Sequence, residues 1–330
     1  MDREKKLRNF LELINGNMTI SQISSITGMS YNEINKLVYS LRQKGFVIDS
    51  KYYSNGEIGF MLDKNIYHDF KPTIITSKDE DEIEFLVYSD LHFGSFYETP
   101  KILDKLFNYG EKNNIHLHLN IGDLVEGTIN DANRKTPWYN QVDHALKLYP
   151  HSDNVLVFLL LGNHDQSLIR DYGLNIATAI SNKRLDIIPI GYGCKKIEIK
   201  NDSIILQHRL LKKSNINLDT PGYSLILRGH YHMYNLVIDT SNIIIYIPSL
   251  SLLNFRKCPF PGAVHLKIKM RYGLIEYVYV DELAYINGDF YITGSNELYA
   301  GKGKNFRKNT EVMNEEGFSK VLRRSNEKHM

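Results

Sequence analysis

The 330-residue chain is poor in cysteine, with Cys194 and Cys258 alone. Two cysteines in so long a chain do not make a disulfide scaffold, so two free thiols and a reducing, cytoplasmic setting are expected. An excess of charge is also missing: 40 Lys+Arg against 38 Asp+Glu leave +2. That excludes a globally basic wrapper of DNA and a strongly acidic tail protein. No apolar run approaches the roughly 18–20 residues of a membrane span, so no membrane partner is expected. The opening Met1-Asp2-Arg3-Glu4-Lys5-Lys6 does not read as a secretory signal, because no apolar segment follows it. What is present is a composition that is 42% hydrophobic and 24% charged, ordinary for a globular protein with a core. The length is that of about two domains. Histidine is the informative residue: several of the 12 stand in short clusters with Asp, Asn and Gly.

Residues 1–67 read as a small helical unit ending in a hairpin. Leu7, Phe10, Leu11 and Ile14 mark an amphipathic helix. Thr19-Ile20-Ser21-Gln22 and Ser30-Tyr31-Asn32-Glu33 each fit a capping box, so a helix starts after each. Gly28 supplies the turn between them, and Ile34, Leu37, Val38 and Leu41 form one buried stripe on the second. Phe46-Val47-Ile48 and Ile58-Gly59-Phe60-Met61 are strand-like and flank Ser54-Asn55-Gly56, a hairpin turn signal. Three helices and a hairpin in this order resemble a winged helix-turn-helix domain.

Residues 68–82 read as a linker, broken by Pro72 and ending in a charge run. From Ile83, strand-length apolar runs alternate with amphipathic helices: Phe85–Tyr88, a helix near 101–113, Ile115–Asn120, a helix near 138–148, then Val155–Leu161. Such alternation predicts a parallel α/β unit. Beyond Arg184 the strands crowd together with few helices, which predicts a mainly antiparallel half ending near residue 286. Residues 287–330 read as a basic, partly flexible tail.

Five short segments each close a predicted strand: Asp90-Leu91-His92, Gly122-Asp123, Gly162-Asn163-His164-Asp165, His208, and Gly229-His230-Tyr231-His232. Ligand sites form outside the carboxyl ends of strands in such sheets. The D-x-H and H-x-H spacings let alternate residues turn toward one ion where the backbone curls. Mixed imidazole, carboxylate and amide donors suit Mn²⁺, Fe or Zn²⁺ better than Ca²⁺ or a structural Cys-rich zinc site.

The ordered set D-x-H, G-D, G-N-H-D, H, G-H-x-H resembles the calcineurin-like metallophosphoesterase superfamily over residues 83–286. The resemblance implies an α/β (α+β) fold: a double β-sandwich flanked by helices, here preceded by the small winged-helix domain. It also implies two divalent metal ions. Asp90, His92 and His232 would hold one, Asn163, His208 and His230 the second, and Asp123 would bridge them. A hydroxide shared by the ions would attack the phosphoryl group in line. His164 would stabilise the transition state and protonate the leaving oxygen, oriented by Glu126 or Asp165.

Two departures narrow the branch. Glu126-Gly127-Thr128 and Asp165 stand where protein phosphatases of the family carry Asp-Arg-Gly and Glu. The missing Arg points toward phosphodiesterases and nucleases, of which the repair nuclease Mre11/SbcD also carries G-N-H-D. Arg209, Lys212, Lys213 and Arg228 could line a polynucleotide backbone or be ordinary solvated charges. On the N-terminal unit, Asn32, Asn35, Lys36, Tyr39 and Arg42 lie on the polar side of the second capped helix, where they could reach bases and phosphates. Winged helices also dock protein or dimerise, so a protein partner or a homodimer is the rival there. The expected function is hydrolysis of phosphodiester bonds in DNA or RNA. The alternatives are a small-molecule phosphodiesterase, acting on cyclic nucleotides for example, and a DNA-binding regulator or adaptor with a non-catalytic phosphoesterase domain.

Overall fold

The computed structural model describes residues 3–55, 57–63, 70, 73–75, 81–209, 224–239, 242–253, 260–299 and 308–311. In chain order the N-terminal unit comprises α1 (Arg3–Asn15), β1 (Met18–Thr19), α2 (Ile20–Thr27), α3 (Tyr31–Gln43), β2 (Ile48–Tyr52) and β3 (Ile58–Leu62). Both expected capping boxes form. Thr19 accepts from the Gln22 amide and Ser30 from the Glu33 amide, and Gln22 and Glu33 bond back to the cap residues. The three strands pair in the order β1-β3-β2.

Next come β4 (Thr73–Ile75), β5 (Glu82–Tyr88), α4 (Pro100–Lys112), β6 (Leu117–Ile121), α5 (Gln141–Leu148), β7 (Leu156–Leu161), α6 (Asn163–Tyr172) and α7 (Ile176–Ser181). The strand-rich half holds β8 (Ile187–Tyr192), β9 (Cys194–Ile199), β10 (Asp202–Gln207), β11 (Ser224–Arg228), β12 (Asn235–Ile238) and β13 (Asn242–Tyr246). It ends with β14 (Gly262–Arg271), β15 (Leu274–Ile286), β16 (Asp289–Tyr299) and β17 (Lys308–Glu311).

Two sheets face each other. One has the order β17-β16-β15-β14-β5-β6-β7-β8, the other β12-β13-β11-β10-β9-β4. Phe85, Val87, Leu119, Ile121 and Leu160 of the first pack on Ile197, Ile204, Leu206, Leu227 and Ile245 of the second. The opposite side of β5 and β7 carries Leu86, Tyr88, Leu159 and Leu161, which pack beneath the helices on Leu103, Leu106, Val142 and Ala145. Burial of both faces explains why these strands read as continuous apolar runs rather than alternating ones.

The half beyond Arg184 is mainly antiparallel, as its pattern predicts, with β10–β11 and β11–β13 as parallel pairs within it. The structure departs from the sequence reading in three places. Thr73–Ile75, inside the expected linker, is an edge strand parallel to β9. Asp289–Tyr299, assigned to the tail by composition, is a full strand paired with β15. Phe290, Asn296 and Leu298 of this strand are buried, while Asp289, Tyr291 and Ile292 are exposed. Asn287 and Gly288 both have positive φ, the hairpin signature of an Asn-Gly pair, and that signal was available in the sequence.

The third departure concerns the N-terminal unit, which shares a core with the rest of the chain. Phe10, Ile14, Ile34 and Leu41 share one continuous core with Phe46, Trp138 and Leu174. Phe46 and Val47, expected to begin the hairpin, bridge also to the stretch after α6, while the Val47 carbonyl accepts from the Asp63 amide next to β3. The Val47 amide donates to the Gly173 carbonyl at 3.1 Å, and the Asn175 amide to the Gly45 carbonyl at 2.7 Å. Trp138 is fully buried there, stacked on Tyr172 with ring centres 3.7 Å apart and edge-on to Phe46 at 6.1 Å.

Candidate metal centre

Strand direction assembles the site. β5, β6 and β7 are parallel neighbours, and β10 and β11 are parallel neighbours. Their carboxyl ends therefore emerge along one edge of each sheet. Asp90, Asp123, Asn163, His208 and His230 each follow one of these strands within two residues. The chain must turn sharply there. Asp90, His92, Asp123, His230 and His232 all adopt left-handed φ, between 47° and 78°. For non-glycine residues this costs roughly 1–2 kcal/mol each, and such strain gathers where geometry serves chemistry. Gly162 permits a close approach: a Cβ there would lie 2.3 Å from Asp123 Oδ1 and 2.6 Å from the His208 ring.

Three groups result in which one donor atom per residue lies within 4.8 Å of the others. They are Asp90, His92 and His232; Asp123, His208 and His230; and His92, Asp123 and His164. The fit to a cation rests on atoms without partners. Asp90 Oδ1, His92 Nε2, Asp123 Oδ2, Asn163 Oδ1, His208 Nε2 and His230 Nδ1 are buried and make no hydrogen bond. Some are close without being aligned: His208 Nε2 is 3.0 Å from Asp123 Oδ2. Orphaned buried polar atoms are costly, and these converge as an imidazole, carboxylate and amide set would around divalent ions.

Outer contacts aim the donors. His92 Nδ1 donates to Glu126 Oε2 at 2.9 Å, and His208 Nδ1 to the Ile121 carbonyl at 2.6 Å. Each bond fixes the tautomer and directs Nε2 inward. The His230 amide donates to Asp90 Oδ2 at 3.0 Å and the His164 amide to Asp123 Oδ1 at 2.9 Å. Burial opposes charge on His92 and His208, but the carboxylates around them outweigh it. His92 is pushed up to about 10 by Asp90, Glu126 and Asp123, and His208 up to about 9 by Asp123 and Asp90. Burial acts against ionised Asp90 and Asp123 too, yet the surrounding imidazoles hold both well below the usual carboxylate range. The concentration of negative charge that draws protons onto these rings also draws cations.

The orienting partner of His164 is neither side chain expected from the sequence. His164 Nδ1 donates to the backbone carbonyl of Glu126 at 2.6 Å, and burial lowers its basicity. The Glu126 carboxylate serves His92 instead. Asp165 accepts from the amides of Gly162, Leu124 and Val125 at 2.8–3.2 Å, tying together the loops that follow β6 and β7. Burial and the charge of Asp123 push it up to about 7.

The other named residues separate. Arg228 reaches Gln207 Oε1 twice, at 2.9 and 2.6 Å, and the Tyr246 hydroxyl at 3.1 Å, so it braces the sheet edge. Arg209 is exposed, and Lys212 and Lys213 lie outside the described residues. Asn32, Asn35, Lys36 and Tyr39 form an exposed stripe on α3, whereas Arg42 is held by the Ile48 carbonyl and Ser50 Oγ. Two supports escaped sequence reasoning. Gln141 clamps Gly127 through both its amide atoms, and Ser249 donates to the Asp90 carbonyl at 3.0 Å. Ser249 follows β13, a strand-terminal position like those of the candidate donors; nothing local marks Gln141.

The double-sheet sandwich, with these donors gathered at its strand ends, has a metallophosphoesterase-like fold. Residues 83–234 match the family model of calcineurin-like phosphoesterases, so the chain carries a calcineurin-like metallophosphoesterase domain. Three solved structures similar to it are a predicted phosphoesterase from Streptococcus pneumoniae, the E. coli phosphoesterase Yfce, and Vacuolar Protein Sorting 29 from Cryptosporidium parvum. The first is 13% identical, with a TM-score of 0.35, over 70% of this chain and 98% of the other. Yfce is 12% identical, with a TM-score of 0.38, over 66% and 100%. The third is 10% identical, with a TM-score of 0.36, over 70% and 98%. No curated protein matches the chain. Among the described residues no helix is long and apolar enough to cross a membrane.

Proposed function

We propose that the protein is a dinuclear metal-dependent phosphodiesterase acting on nucleic acid. The observation that carries this reading is the convergence of unpartnered buried donors beside His164. Asp90, His92 and His232 would hold one ion, Asn163, His208 and His230 the other, and Asp123 would lie between them. Two divalent ions, Mn²⁺ by preference, would neutralise phosphoryl charge and lower the pKa of a water toward neutrality. The chain's own work is orientation and proton transfer. The Glu126 carbonyl holds the His164 Nδ1–H, which leaves Nε2 as the nitrogen available to substrate. A bound phosphodiester anion favours protonation of Nε2, and Nε2–H then donates to the departing oxygen. The His164 amide and the left-handed turn at Asp123 keep ring and carboxylate in register.

The N-terminal unit supports the choice of nucleic acid. Its three helices and small sheet have the element order of a winged helix. Its α3 presents Asn32, Asn35, Lys36 and Tyr39 at i, i+3, i+4 and i+7, on the surface. Asn and Lys at such positions suit base edges and phosphates. The shared core holds this unit against the enzyme, so it would orient a strand rather than merely tether it.

The test is hydrolysis of bis-p-nitrophenyl phosphate and of labelled DNA and RNA by metal-stripped protein before and after Mn²⁺ addition. Activity should require the metal. Asp123→Ala and His164→Ala should each lose it, the latter by about 10²–10⁴-fold. Full activity in either variant would refute the mechanism.

A further inference from the structure

Tyr231 stands between His230 and His232, and both neighbours have left-handed φ, 78° and 61°. His232 is buried, whereas Tyr231 is 54% exposed. The turn that sends His232 into the centre therefore leaves an aromatic ring facing outward at its rim. That ring lies 5.7 Å from the His230 ring, so it adjoins a donor of the site. It is also braced. Tyr231 meets Tyr246 edge-on, with centroids 5.1 Å apart at 80°. The Arg228 guanidinium lies over Tyr246 at 5.4 Å and bonds its hydroxyl, and Gln207 Oε1 anchors Arg228 twice. A chain of contacts from β10 through β11 and β13 thus holds one exposed ring in place. An exposed aromatic normally loses freedom when it binds; a braced one loses less.

We propose that Tyr231 is a stacking platform for a nucleobase adjoining the scissile phosphodiester, and that the preferred substrate is therefore single-stranded polynucleotide. The proposal rests on the nucleic-acid reading above and sharpens it. Bases in a single strand offer free π-faces, whereas those in a duplex are already stacked on one another. Stacking on one aromatic ring contributes roughly 5- to 150-fold in binding and tolerates any base. The same placement reassigns Arg228: it supports the platform rather than contacting phosphate.

The experiment uses the full chain loaded with Mn²⁺. Substrates are a labelled single-stranded 15-mer, the same strand with abasic sites, its duplex, and methyl p-nitrophenyl phosphate, a diester without a base. Variants are Tyr231→Ala, Tyr231→Leu and Tyr231→Phe. The expected result for wild type is a single strand favoured over duplex and a KM for the abasic strand at least about fivefold higher. Tyr231→Ala and Tyr231→Leu should raise the KM for the base-bearing strand by a similar factor and leave the abasic KM where wild type has it. Tyr231→Phe should retain the wild-type preference, because the ring and not the hydroxyl does the stacking. Equal cleavage of abasic and base-bearing strands by wild type overturns the proposal while the nucleic-acid reading stands. So does Tyr231→Phe behaving like Tyr231→Ala. Turnover of the small diester with no cleavage of any strand overturns the nucleic-acid reading itself, and the proposal with it.

Discussion

Glu126→Gln separates two roles for one residue. Glu126 is fully buried; its carboxylate holds His92 Nδ1 at 2.9 Å while its carbonyl holds His164 Nδ1 at 2.6 Å. The substitution keeps shape and backbone but removes the negative charge behind His92. Loss of such a carboxylate behind a ligating imidazole typically costs 10–100-fold in metal affinity, or about 1.4–2.7 kcal/mol. The His164 bond is untouched, because it ends on the main chain. The apparent Kd for Mn²⁺, measured by calorimetry and by activity against metal concentration, should rise about 10–100-fold. At saturating metal, kcat should change by less than about threefold, a barrier difference of roughly 0.7 kcal/mol. A variant that binds Mn²⁺ normally yet loses kcat by 10²-fold or more would refute this division of labour. It would return the His164-orienting role to the Glu126 side chain.

Three further outcomes follow from burial, charge and exposure. Trp138→Ala should destabilise the protein by about 3–5 kcal/mol in denaturant titration, because Trp138 stacks on Tyr172 where the N-terminal unit joins the common core. A loss below about 1 kcal/mol would show that the two units are not one cooperative core. Metal-stripped protein should lose thermal stability as pH rises. His92 and His208 titrate near 10 and 9 when folded, against about 6.5 unfolded. Their ion-pairing is therefore fully present below about pH 6.5 and fades up to about pH 9–10. Mn²⁺-loaded protein should not show that decline, since metal ligation needs neutral imidazole; a flat profile for stripped protein would refute the pairing. Lys36→Ala on α3 should weaken nucleic-acid binding uniformly across sequences and reduce the salt slope by about one. An unchanged slope in fluorescence anisotropy would remove α3 from the interface.

The contrast between legible and illegible features follows sequence separation. The helix starts at Thr19 and Ser30 were readable because cap and partner are three residues apart. The strand-terminal segments from Asp90 to His232 were readable because apolar run, turn and donor are contiguous. Their assembly depends on strand order, which a linear pattern does not carry, yet five such ends in one sheet system leave few alternatives. The partners of His164 and Asp165 were not readable. Glu126 and Asp165 were both acids near the right loop, and only coordinates distinguish a carbonyl from a carboxylate.

By itself, the sequence determined the local chemistry: capped helices, apolar strands, and donors at strand ends. Each depends on neighbours within a few residues, where backbone geometry leaves little choice. Tertiary structure decided what each polar group does with its second contact. It turned Arg228 into a brace between strands and the N-terminal unit into part of a shared core. Those outcomes depend on groups tens to more than a hundred residues apart, and close packing brings such groups within reach only when the sheets are complete.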